Sequence, residues 1–212
     1  MNTQPAKGIA PCLPQFNGIK RYASKAYGVE SVAKIMPGEY YVSYRNEMIM
    51  TVLGSCISVC VYDEAAQVGG MNHFMLPDKN SRASSNCDLS QSAIYGNYAM
   101  EKLINDVMFN GGKRDRLRFK LFGGASLMGA SSVVGEQNVQ FVKHYLRAEG
   151  FRWCAEDLGK GHPRWVKFFP MSGKVQLKYL PVEESQHIVE EESQAKKTVD
   201  NTAPDGGDLE LF

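Results

Sequence analysis

Long apolar runs and a surplus of one charge are missing from this chain of 212 residues, and no secretory leader is expected. No stretch approaches the roughly 20 apolar residues needed to span a bilayer, so membrane insertion is not expected. A net charge of +1 offers no cationic excess for neutralising phosphates, and nucleic acid is not an expected partner. The opening "MNTQPAKGIAPCLPQFNG" is polar and interrupted by prolines, so it lacks the apolar core of a signal peptide. Cysteine is scarce and odd in number, with Cys12, Cys56, Cys60, Cys87 and Cys154. Without a leader, an odd count implies reduced thiols and a cytoplasmic protein rather than a disulfide framework.

What is present suits one globular domain: 43% hydrophobic, 10% aromatic and 22% charged residues. The charge is uneven. Between residues 183 and 212, nine acidic residues face two lysines, so this segment carries −7 and residues 1–182 carry +8. The basic part is suited to an acidic protein surface, and the acidic tail is placed to compete for it.

Residues 1–37 lack sustained periodicity and read as a flexible arm with at most one short helix near "YGVESVAKIM". Residues 38–181 read as the folded domain. Strands are expected at "GEYYVSY", "NEMIMTVL", "CISVCVY" and "MNHFMLP", the third nearly continuous in apolar or β-branched residues as if covered on both faces. A polar loop, "DKNSRASSNCDLSQ", precedes a helix with Ile94, Tyr98, Leu103 and Val107 mostly on one face and Gly111 as its stop. "RLRFKLFGG" is a strand, and "GEQNVQFVKHYLRAEG" a helix with Asn138 as N-cap. "FRWCAEDLG", "RWVKFFP" and "GKVQLKYL" close the domain as strands, and residues 182–212 read as an acidic disordered tail. Strands and helices without a βαβα rhythm indicate the α+β class.

The chemistry concentrates in "TVLGSCISVCVYDEAAQVGGMNHFML", residues 51–76. A zinc site drawn from Cys56, Cys60, Cys87 and His73 is disfavoured, because four residues along a strand separate the Cα atoms of Cys56 and Cys60 by about 13 Å. Cys60, in mid-strand, reads as a small hydrophobe, as do Cys12 and Cys154. Cys56 follows "GS" where a loop enters the strand, and unpaired backbone N–H groups there are suited to facing an oxyanion. His73 supplies the side chain that can ionise a thiol near neutral pH, which makes the two a candidate dyad. A simple hairpin around residues 63–70 sets Cys56 opposite residue 77, leaving His73 on the order of 13 Å away. The dyad therefore requires a shifted register, a bulge near Gly69 and Gly70, or a "LGSC" loop folded back over the sheet.

The same residues resemble the signature of CheD, the chemoreceptor glutamine deamidase family. The likeness continues through "YGNYAMEKLI", "KLFGGASLM", "GEQNV" and "AEDLGKGHPRWVKFFPMSGKVQLKYL", covering roughly residues 38–180. It implies a layered α/β sandwich of mixed sheets with flanking helices, similar to toxin deamidases. It also implies a cysteine hydrolase that converts glutamines of methyl-accepting chemotaxis receptors to glutamate without metal or organic cofactor. Carried over by position, Cys56 is the nucleophile, His73 the base and Thr51 the group that orients the imidazole. Backbone N–H groups from Gly54 and Ser55 to Ile57 are expected to hold the oxyanion, and Phe74, Phe122, Gly123 and Gly124 to line a cleft that admits a glutamine from a receptor helix. Gln137 stands where the family often has arginine, and Lys160 where a second glycine is common. A non-catalytic alternative, a regulator that binds receptors or a CheC-type phosphatase, leaves a thiol paired with a base without purpose.

Overall fold

A computed structural model describes residues 9–24, 27–76, 88–126 and 131–181, together with 187, 188, 190, 192 and 194; side chains are described from Ile94 in the first helix and Val133 in the second. The strands are β1 (Lys20–Ala23), β2 (Ser31–Lys34), β3 (Tyr40–Ser43), β4 (Glu47–Leu53), β5 (Ile57–Asp63), β6 (Val68–Asn72), β7 (Arg118–Gly123), β8 (Trp153–Leu158), β9 (Arg164–Phe169) and β10 (Lys174–Tyr179). The helices are α1 (Asp88–Phe109) and α2 (Ser131–Ala148). One mixed sheet runs β1-β2-β4-β9-β10 and the other β3-β6-β5-β7-β8, so the expected α+β sandwich is the observed architecture.

The layering follows from the apolar pattern. Every residue of β5 is buried, as a central strand must be when a second sheet covers one face and helices the other. In β4, Ile49 and Leu53 enter the main core, whereas Met48 and Met50 join a separate cluster with Val29 and Val32. Alternation therefore sends Thr51, between Ile49 and Leu53, towards the other sheet. Met100, Leu103, Ile104 and Val107 form the buried stripe of α1. Gly70 permits that helix to sit close, since a Cβ there meets Leu103 Cδ1 at 2.8 Å and Val42 Cγ2 at 2.7 Å.

Several local expectations are corrected. Residues 20–23 and 31–34, expected within a flexible arm, are strands, and Phe16, Val32, Ala33 and Ile35 are buried. They are anchored by the buried Glu47 carboxylate, which accepts hydrogen bonds from Arg21, from Ser31, from Ser43 Oγ at 2.6 Å and from Tyr41 at 3.0 Å. Burial works to raise the Glu47 pKa, but the hydrogen bonds from Ser31, Ser43 and Arg21, with the charge of Arg21, outweigh it and hold the group ionised below the usual carboxylate range. Ile94 and Tyr98, placed on the inward face of α1, are exposed. Helix α2 begins before residue 135, so Asn138 is an interior residue and not an N-cap. Gly111 does end α1 with φ of 109°. The polar loop expected over 78–91 is shorter at its end, because residues 88–91 already belong to α1; its residues 78–87, Cys87 included, lie outside the described residues, as does the tail beyond 194.

Candidate active site

The hairpin of β5 and β6 resolves the distance between Cys56 and His73. Its turn is tighter than the sequence suggests, so Tyr62 pairs with Gly69 and Cys60 with Met71. This register brings Phe74 opposite Ile57, with hydrogen bonds of 2.9 Å in both directions. Between the two paired regions the ladder is interrupted: Val59 N donates to the side-chain oxygen of Asn72 at 2.8 Å and Ser58 Oγ to its carbonyl at 2.5 Å. His73 instead pairs with the chain before β3, donating to Glu39 O and accepting from Gly38 N. The shifted register is thus the device; Gly69 and Gly70 pair regularly and make no bulge. The result is that Cys56 Sγ, a ring nitrogen of His73 and a carboxylate oxygen of Glu192 all lie within 4.8 Å of one another.

Thr51 completes the group from the opposite sheet. Its Oγ1 lies 2.8 Å from Ile35 O and 2.7 Å from His73 Nδ1. A carbonyl oxygen can only accept, so the single hydroxyl hydrogen is directed to Ile35. The ring must then donate from Nδ1, which leaves the lone pair on Nε2. Nε2 is buried and has no hydrogen-bond partner among the described residues. Burial pushes the His73 pKa down to about 3, so the imidazole is neutral. Cys60, also buried, has its thiol pushed up by desolvation and is inert.

The loop before β5 is fixed by its carbonyl oxygens. Gly54 O accepts from Ala125 N at 2.8 Å, Ser55 O from Asn138 Nδ2 at 2.9 Å and Cys56 O from Gly124 N at 2.7 Å. With three consecutive carbonyls held, the N–H groups of the same residues converge on one pocket. Ile57 N is spent on Phe74 O and takes no part, which narrows the expected donor set to residues 54–56. Asn138 also accepts from Leu76 N at 2.9 Å, so one buried side chain clamps the nucleophile loop and the chain leaving His73. The sequence singled out Asn138 only as an N-cap, a role that its interior position in α2 excludes.

Gly123 and Gly124 act through this clamp. At Gly123, φ is 110° and a Cβ collides with the Cys56 carbonyl; at Gly124, φ is 64°. Gly159 N donates to Gly123 O, and Lys160, at φ of 66°, occupies a left-handed conformation that glycine adopts more easily. Phe74 and Phe122 are buried core side chains, the former packed edge-on against Phe141 with ring centroids 6.0 Å apart. Gln137 is half-buried on α2.

Glu192 was not anticipated. Its Oε1 accepts from Gly54 N at 2.8 Å and Cys56 N at 3.3 Å, and its Oε2 from Ser55 N at 3.0 Å and Ser55 Oγ at 2.7 Å. Cys56, His73 and Glu192 are ligand types that a metal ion accepts. Four converging N–H and O–H donors, however, make this a pocket for negative charge. A separate groove lined by Arg114, Arg116, Arg118, Arg152 and Trp153 contains none of these residues.

A family model described as CheD chemotactic sensory transduction matches residues 75–179. The chain is 44% identical over the full length of both proteins to one from Hahella chejuensis named a probable chemoreceptor glutamine deamidase CheD. A protein of the same name from Halorhodospira halophila is 43% identical, across 96% of this chain and 94% of its own. One from Herminiimonas arsenicoxydans is 48% identical, across 85% and 88%.

Proposed function

Because the chain belongs to the CheD family, we propose that it removes the side-chain amide of glutamines on chemoreceptors in the cytoplasm, with Cys56 as nucleophile, His73 as base and Thr51 as the positioning residue. The observation that carries this reading is the Thr51 hydroxyl, held between Ile35 O and His73 Nδ1 so that the remaining imidazole lone pair is on Nε2. The ring nitrogen and the sulfur lie within 4.8 Å.

His73 Nε2 takes the thiol proton as Sγ attacks the carboxamide carbon. The oxyanion accepts hydrogen bonds from the N–H groups of Gly54, Ser55 and Cys56, which are already aimed and need no reorganisation. The imidazolium returns its proton to the nitrogen, the C–N bond breaks and ammonia leaves a γ-glutamyl thioester. Water, deprotonated by Nε2, attacks that thioester; the C–S bond breaks, glutamate departs and the thiol is reprotonated. These steps balance without metal or organic cofactor. Association with a CheC-type phosphatase belongs to the same reading as a regulatory partnership.

The test incubates the full chain and its Cys56→Ala variant with a receptor cytoplasmic fragment and counts glutamine-to-glutamate conversion by mass spectrometry. Conversion by the unaltered chain alone is expected. Equal conversion by both removes Cys56 from the mechanism.

A further inference from the structure

We propose that the C-terminal segment bearing Glu192 is a built-in product mimic, which seats its carboxylate where a receptor glutamate leaves and keeps the site closed until a receptor side chain displaces it. The inference rests on the assignment of the Gly54–Cys56 pocket and of Cys56 made above.

A glutamate side chain is the product of glutamine deamidation. The one at residue 192 differs from a substrate glutamine only by oxygen in place of the amide nitrogen. Its oxygens take all three backbone N–H groups assigned to the oxyanion and stand within 4.8 Å of the sulfur and the imidazole. Glu192 is 4% exposed, and a carboxylate is buried at this level only when donors replace its water. Among the described residues, the carbonyls of the pocket are held by Ala125, Gly124 and Asn138 and not by that carboxylate.

The segment also indicates how a substrate is presented. His187, Ile188, Glu190, Glu192 and Gln194 have helical backbone. Ile188 and Glu192, four residues apart and therefore on one side of a helix, are buried, whereas His187, Glu190 and Gln194 are exposed. The pocket thus takes an acid or amide from a helix that carries an aliphatic residue one turn earlier. The attraction between a tail of −7 and a domain of +8 raises the occupancy of the closed state.

The decisive experiment uses the full chain with Glu192→Gln. The proposal makes this glutamine an internal substrate: Sγ bonds to its side-chain carbonyl carbon, the C–N bond breaks, ammonia leaves, and water releases a glutamate at position 192. The peptide containing that residue is expected to gain the mass of amide-to-acid exchange at a rate independent of protein concentration. In the Cys56→Ala/Glu192→Gln double variant the amide is expected to persist. In parallel, Glu192→Ala is expected to lower KM for the receptor fragment about tenfold with kcat unchanged, the factor for a pocket filled about nine-tenths of the time. A persistent amide in Glu192→Gln, or an unchanged KM in Glu192→Ala, in a chain that deamidates the receptor overturns the product mimic and leaves the proposed function standing. Self-conversion without receptor conversion does the reverse. Stoichiometric zinc held by the full chain and lost in Glu192→Ala, with the amide intact in Glu192→Gln, also overturns it and makes the cluster a metal site.

Discussion

Thr51 has one hydroxyl hydrogen and two neighbours, and the carbonyl of Ile35 must receive it. Thr51→Val deletes the acceptor for His73 Nδ1–H while keeping the shape of the side chain. Activity on a receptor fragment is expected to fall about ten- to a hundredfold, as when the group orienting a functional histidine is removed. Thr51→Ser is expected to restore most of it, which a merely space-filling role does not predict. His73 itself links activity to stability. Its folded pKa of about 3 lies below the ordinary 6.5, so the unfolded chain binds the extra proton. Stability from this residue is complete above pH 6.5 and declines as pH falls towards 3. Chemical denaturation across that window is expected to show a shallower pH slope for His73→Gln. At this scale the sequence was informative: "LGSC", the histidine of "GGMNHFML" and Thr51 are the residues that meet. Glu192 was hidden because it is the last of three consecutive glutamates in an acidic tail, and no local pattern separates it from its neighbours.

At the scale of elements, the nucleophile loop is held by its neighbours more than by itself. Asn138→Leu strands a buried Ser55 carbonyl and the Leu76 N–H, each costing about 1–3 kcal/mol when unpaired. A clear fall in thermal stability is expected, with loss of activity at temperatures where the variant is still folded. Gly123→Ala is expected to be more damaging, because the left-handed φ and the collision with the Cys56 carbonyl act together; soluble expression and melting temperature report it. The long strands and both helices were legible from periodicity, yet β1 and β2 were not. Their pairing and the Glu47 cluster, which hold them in place, join residues distant in sequence. Asn138 misled for a related reason: a polar residue before an apolar run has the local look of a helix start, whereas its partners lie on other elements.

Over the whole molecule, charge is divided between a basic domain and an acidic tail. Deleting residues 183–212 removes the product mimic and unmasks the +8 domain, so affinity for a receptor fragment is expected to rise, and to rise more at low ionic strength where the Debye length is long. Affinity that does not change at any salt concentration contradicts a competing tail. The α+β class and the covering of β5 on both faces were legible from the nearly continuous apolar run of that strand and the mixed strand and helix pattern, but the closeness of Cys56 and His73 was not. It depends on a turn two residues tighter than the glycines suggest and on a ladder broken at Asn72, both set by tertiary pairing.

The covalent step is tested most directly by acid quenching. The Glu192→Ala chain is mixed with excess receptor fragment, stopped in acid within a turnover, and the peptide containing Cys56 is weighed. A thioester adduct on that peptide, absent after hydroxylamine treatment and absent from the Cys56→Ala chain, is the predicted result. Steady conversion of receptor glutamines by the Cys56→Ala chain, at the rate of the intact thiol, contradicts the account.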